Sequence, residues 1–182
     1  KITKVLSKEN FSKITCIKEK KIKKIALIIS TNDINDKIRN KVINSINIRL
    51  KAFDLKLFKV FSNEHSIKNL VFNLKLIKKS KIDLALIYGS TSIVDINDVI
   101  PKSISVLNGK VVSFGAPTDP GNLLLLGKLN NITIIGVPGC AKSLVRNGFD
   151  IVLEKVCFGL KVDKKVIAEM SNGGLFKYQF RK

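Results

Sequence analysis

The residues best suited to chemistry in this chain are Gly89, Ser90, Thr91 and Ser92, with Asp95 and Asp98 just behind them. Gly89 lets the backbone turn sharply. The three hydroxyls and their backbone amides can donate to phosphate-like oxygens. Two carboxylates three residues apart could hold Mg²⁺ against such an anion, because Mg²⁺ is usually bound by one or two carboxylates plus substrate phosphates. Aspartate is equally a favoured helix N-cap, so on chemistry alone capping and a site role for Asp95 and Asp98 both stand. A second segment, Asp119-Pro120-Gly121-Asn122, reads by itself as an ordinary turn. A third, GVPGCA over residues 136–141, is a Pro-Gly turn that can present backbone amides to an anion. Within it Cys140 has no histidine near it in sequence and reads as a small residue in a tight turn. The sole histidine, His65, stands before a helical pattern and reads as a surface or capping residue. The chain contains no GxGxxG, no GK[ST] loop and no Ser/His/Asp set.

These segments follow short apolar runs. Residues 84–88 (LALIY) and Ile25–Ser30 (IALIIS) show no polar alternation, as expected of strands buried on both faces. Residues 132–137 form another such run, 111–114 a shorter one, and 123–126 a further possible strand. Residues 55–61 alternate apolar positions with lysine, which suits a strand nearer an edge. Helical spacing covers residues 36–53 (Ile38, Val42, Ile46, Leu50), 66–80 (Ile67, Leu70, Val71, Leu74, Ile77) and 149–160. A helix over 98–107 begins at Asp98 and carries Pro101 in its first turn, where proline is tolerated. Asn108-Gly109 and Asn130-Asn131 turn the chain, and Asp163 caps a last short helix over 163–170. The alternation of strands and helices predicts an α/β domain with a largely parallel sheet covered on both faces. In such sheets ligands sit beyond the carboxyl ends of the strands.

Composition sets the bounds. A chain of 182 residues with 45% hydrophobic content has room for a real core. The formal charge of +19 points to a polyanion partner or to the lysine-rich composition of an AT-rich genome. The lysines are scattered, and no RNP, zinc-finger or helix-turn-helix signature accompanies them, so specific nucleic-acid binding is not expected. Three widely spaced cysteines form neither a disulfide framework nor a zinc site, and a reducing cytoplasm is the expected compartment. No apolar run approaches the roughly 20 residues of a membrane span, so no membrane association is expected. The chain starts at Lys1 and its single methionine is Met170, so it is expected to be a piece of a longer protein. Its expected division is a lead-in over 1–24, one domain over 25–160, and a helix and tail over 161–182.

Taken together and in order, GSTSIVDINDVIP, GAPTDPGN and IIGVPGCA resemble the molybdopterin-binding (MoaB/Mog-type) domain of molybdenum cofactor biosynthesis proteins. The similarity covers residues 25–160. The segments DVIP, DPGNLLLLG, GVPGCA, NGFD and MSNGGL bring it closest to the subgroup fused to a nucleotidyltransferase-like domain. The resemblance implies a three-layer α/β/α fold that binds molybdopterin or molybdenum cofactor, with Mg²⁺ and nucleotide in some members. It implies that Gly89, Ser90, Thr91 and Ser92 contact pterin or phosphate. Pro120, Gly121, Asn122, Pro138, Gly139, Cys140 and Ala141 would close the pocket. Asp98 would be the main catalytic carboxylate and metal ligand, assisted by Asp95. Adenylyl or nucleotidyl transfer, or molybdate insertion, is the implied enzymatic activity. A partner-binding domain without catalysis is the alternative. The implied partners are other cofactor-biosynthesis enzymes or molybdoenzymes, and the implied state is a homo-oligomer. The chain departs from the family at Ser90, where many relatives have glycine, and at Cys140-Ala141, where Asn-Pro is common. It also has Asn122 in place of a lysine, which removes a fixed charge beside an oxyanion and favours binding over molybdate insertion.

Overall fold

The computed structural model describes residues 22–33 and 35–171. The lead-in before Ile22, Cys16 and the Gly173-Gly174 tail lie outside the described residues.

Six strands form one sheet in the order β2-β1-β3-β6-β5-β4. They are β1 (Ile25–Ser30), β2 (Leu57–Asn63), β3 (Leu84–Gly89), β4 (Lys110–Phe114), β5 (Leu125–Leu129) and β6 (Ile132–Val137). The strands β2, β1, β3 and β6 run parallel, and β5 and β4 complete the sheet antiparallel to their neighbours. Both strands expected to be buried on two faces are so: β1 is buried at every position and β3 at every position but Gly89. The lysine-interrupted run is an edge strand, paired with β1 alone. The strand expected over 123–126 begins two residues later, at Leu125, because Leu124 and Asn122 close the loop through hydrogen bonds to Gly115 and Ala116.

Side-chain alternation along each strand sorts the core into two halves. Ile25, Leu27 and Ile29 of β1 face one side with α1 (Asp36–Lys51), α4 (Gly148–Cys157) and α5 (Lys164–Ala168), whose Val42, Ile46, Phe149, Val152 and Ile167 pack there. Ala26 and Ile28 face the other side with α2 (Ile67–Lys79) and α3 (Val99–Val106), through Leu70, Leu74, Ile100 and Ile104. The result is the expected three-layer α/β/α arrangement with a mostly parallel sheet. Packing continues past Leu160, since Val162, Ile167 and Met170 belong to the first core.

Local chemistry sets the element ends. Ser66 caps α2 through the Asn69 amide, Asn147 and Asp150 make a reciprocal capping box at the start of α4, and Asp163 caps α5 through the Val166 amide. Asn108 and Asn130 take the left-handed conformation in their turns, one that asparagine tolerates better than most residues.

One buried charge ties two layers of loops and helices together. Arg49 of α1 is 8% exposed, and its guanidinium donates to both carboxylate oxygens of Asp150 at 2.6 and 3.4 Å. It also donates to the carbonyls of Ser45, Ala141 and Ser143 and to the Ser45 hydroxyl, and it lies over the Phe149 ring. Ser45 in turn donates to Ala141 O at 2.6 Å. Removing one partner of a buried pair leaves the other charge unsatisfied, at a cost of about 3–5 kcal/mol. Arg49→Met is therefore expected to lower the urea midpoint of unfolding by that much stability. Combining it with Asp150→Asn, which leaves no unpaired charge, is expected to cost less than the two single changes summed.

Candidate functional site at the carboxyl ends of the strands

A single row of the sheet gathers the three segments. Phe61, Ile28, Ile87, Gly136, Leu125 and Phe114 stand side by side across the six strands. Beyond Ile87 the chain enters the loop from Gly89 to Asp98, and beyond Gly136 it enters the Pro-Gly turn. The β4–β5 hairpin carries Asp119, Pro120, Gly121 and Asn122 off the same edge. This is the edge at which parallel sheets take ligands.

The loop after β3 is open and polar. Ser90, Thr91 and Ser92 are exposed, and the Ser90 amide donates to Ser30 O at 2.8 Å. Ile93 is buried and anchors the loop on Gly136, where a Cβ would come within 2.5 Å of the Ile93 methyl. Val94 and Ile96 are exposed.

Asp98 occupies the N-cap position of α3 but makes no side-chain capping bond there. Its Oδ2 instead accepts from the amides of Val94 and Asp95, at 2.8 and 2.9 Å, and Asp95 Oδ1 accepts from the Asn97 amide at 2.6 Å. The expectation that one of these acids caps the helix is thus corrected: both carboxylates fold the loop upon itself. Among the described residues no group of three or more His, Cys, Asp or Glu side chains is arranged to hold a metal ion.

The other two segments meet each other. Gly148 N donates to Pro120 O at 3.0 Å, and Gly121, at φ +106°, approaches so closely that a Cβ there would lie 2.5 Å from Gly148 N. Thr118 is buried against Gly148, which explains the glycine at that position, and its hydroxyl has no hydrogen-bond partner among the described residues. Asn122 is exposed. The Pro-Gly turn is a 3₁₀ helix, Gly139–Lys142, in which Ala141 is buried beneath the Arg49 network. Gly139 faces open space. Cys140 is half-buried, and burial pushes its thiol above the ordinary value, with Asp150 and Asp119 adding to the rise and Arg49 opposing it. A protonated thiol is a poor nucleophile and a poor metal ligand. Among the described residues no hydrogen bond joins 89–92 to 138–141.

Sequence reasoning missed His65. It is neither free on the surface nor the cap of α2, a role that belongs to Ser66. Its Nδ1 lies 3.0 Å from the fully buried Ser30 hydroxyl at the end of β1, and its Nε2 lies 3.4 Å from the Thr91 hydroxyl. Its backbone amide donates to Asn32 Oδ1 at 3.1 Å. No pattern in the sequence links residues 30, 65 and 91; only the parallel pairing of β2, β1 and β3 brings their carboxyl ends together.

The fold is shared with known proteins. No family model matches the chain, and no curated protein matches it in sequence. Among solved structures, the molybdopterin biosynthesis enzyme MoaB from Thermus thermophilus superposes with a TM-score of 0.59 at 15% identity. The match covers 86% of this chain and 100% of that one. The molybdopterin biosynthesis Mog protein from Mycobacterium ulcerans gives a TM-score of 0.48 at 14% identity, covering 74% of this chain and 94% of that one. The chain therefore has a MoaB-type three-layer fold.

Burial lowers the pKa of His65 below the usual 6.5, against the influence of the nearby Ser30 backbone and the charge of Asp98, both of which raise it. The neutral ring is thus favoured in the fold, and the unfolded chain binds the proton at higher pH. The stabilisation is complete above 6.5 and is lost as pH falls through the lower folded value. The melting temperature is expected to fall more steeply between about pH 7 and about pH 5 than that of His65→Gln. Equal slopes in the two melting series would show that His65 does not contribute.

Proposed function

We propose that this chain is a molybdopterin-binding domain that serves molybdenum cofactor biosynthesis, holding the pterin by its phosphate at the carboxyl ends of the parallel strands. One observation carries the reading. The three segments that resemble the MoaB/Mog pattern in sequence, far apart along the chain, leave the sheet from one row. That a molybdopterin biosynthesis enzyme has this fold supports it. Ser90, Thr91 and Ser92 are exposed hydroxyls suited to phosphate oxygens, with Gly89 giving the backbone room to approach. Pro120, Gly121 and Asn122, with Pro138, Gly139 and Cys140, would form the second wall, and Ala141, buried beneath the Arg49 network, would support it from behind. The finer proposals are a cytoplasmic, homo-oligomeric protein that works with other cofactor-biosynthesis enzymes or molybdoenzymes, and a place in the subgroup fused to a nucleotidyltransferase-like domain.

A specific observation favours binding without catalysis as the second reading. Asp98, the main candidate for transfer chemistry, already spends Oδ2 on two backbone amides, and Asp95 spends Oδ1 on a third. Mg²⁺, if used, would come with the nucleotide, whose phosphates would supply the ligands that the protein lacks.

Anaerobic titration of the full chain with molybdopterin is expected to show saturable binding. Substitution of Ser90 and Thr91 together by alanine is expected to weaken it by roughly 10-fold or more, from two lost hydrogen bonds to a charged group. A chain that binds no molybdopterin would overturn the proposal. With Mg-ATP added, turnover that disappears in Asp98→Asn while pterin binding survives would establish the enzymatic reading over simple binding.

A further inference from the structure

A chain of side-chain hydrogen bonds runs from the interior to the proposed ligand loop, and its first links have a fixed direction. Asn73, 7% exposed on α2, donates through Nδ2 to Asn63 Oδ1 at 2.7 Å. Asn63 Nδ2 lies 2.6 Å from Glu64 O. A backbone carbonyl only accepts, so this atom must be the amide nitrogen and Asn63 cannot be flipped. The same Nδ2 therefore donates its other hydrogen to Ser30 Oγ at 3.1 Å.

Ser30 is fully buried, and its hydroxyl hydrogen needs an acceptor. His65 Nδ1, at 3.0 Å, is placed to take it when the ring is neutral and Nδ1 carries no proton. An Nδ1 that accepts leaves the ring proton on Nε2, which faces Thr91 Oγ1 at 3.4 Å. Each group donates to the next, and bonds aligned in this way strengthen one another. The last member, Thr91, then receives a hydrogen bond from His65 and turns its own hydroxyl hydrogen outward.

We infer that His65 is a positioning residue that aims the Thr91 hydroxyl, as a hydrogen-bond donor, at a phosphate-class oxyanion on the loop after β3. The inference deepens the proposed function and rests on it for the identity of the ligand. His65 does not touch the ligand itself. Its part is to accept from Ser30, and thereby to present Nε2–H rather than a lone pair to Thr91. With a lone pair there instead, the Thr91 hydrogen would turn inward to the ring and the anion would face only oxygen.

The single histidine of these 182 residues makes the test direct, because its ring ¹⁵N signals in this chain are unambiguous. At neutral pH the spectrum is expected to show a protonated Nε2 and an unprotonated Nδ1. Ser30→Ala is expected to shift the ring toward a mixture of tautomers. An Nδ1–H tautomer in the unaltered protein would overturn the inference alone, whatever the ligand results.

Molybdopterin titration supplies the second arm. His65→Asn, too short to reach Thr91, is expected to weaken binding about 3- to 10-fold, the worth of one hydrogen bond. His65→Gln, whose amide can still donate to Thr91, is expected to stay within about twofold. In a Thr91→Val background His65→Asn should cost nothing more, since His65 acts only through that hydroxyl. An equal loss in both backgrounds would mark a general structural role and overturn the inference. If the unaltered chain binds no molybdopterin, the functional reading fails and takes the ligand side of the inference with it, while the tautomer is still read from the spectrum.

Discussion

The arrangement at the carboxyl edge depends on one buried cation. Arg49 crosses from α1 to the segment that follows β6 and satisfies three carbonyls and a carboxylate at once. Only the planar, five-donor guanidinium can do this from a single position. Without it, the buried Ala141 would lose a carbonyl partner, Ser143 would lose another, and Asp150 would have no counter-ion. The network therefore holds the Pro-Gly turn and the start of α4 in one geometry. A buried pair of this kind is weak evidence of high stability, since both ions give up hydration. What it contributes is a defined exit for the chain.

The two sides of the site are built on different principles. On the α4 side the hairpin loop and the α4 N-terminus approach closely, with Gly121 and Gly148 giving room where a Cβ would collide, and Arg49 holds the Pro-Gly turn through Ala141. On the β3 side the loop is held by its own carboxylates and by the buried Ile93, and its hydroxyls face solvent. Under the proposed reading, the exposed, internally braced loop is the side that offers hydroxyls and amides to an anion.

His65 belongs to none of the three sequence segments that resemble a known pattern, yet it joins the ends of β1, β2 and β3 into one polar unit. Its half-buried position accounts both for its lowered pKa and for its capacity to transmit the orientation of buried amides to a surface hydroxyl. The site is thus set partly from inside the sheet, through Ser30 and the two asparagines, as well as by the loops that line it.

Much of the fold could be read from residue order, because it rests on local rules. The apolar runs at 25–29 and 84–88 suit short strands buried on both faces, and the spacing of Val42, Ile46 and Leu50 suits a helix with one side buried. The loop at Gly89 and the two Pro-Gly segments were legible as turn chemistry, and their order suggested a common pocket. What could not be read depends on contacts between residues far apart in the chain. The pairing of Arg49 with Asp150, the turning of Asp98 away from its helix, and the line from Asn73 through Ser30 and His65 to Thr91 have no signature in spacing. A lone histidine or arginine carries no record of its partner in its neighbours. Strand order and register decide which distant side chains share a few ångströms, and those are properties of the folded sheet.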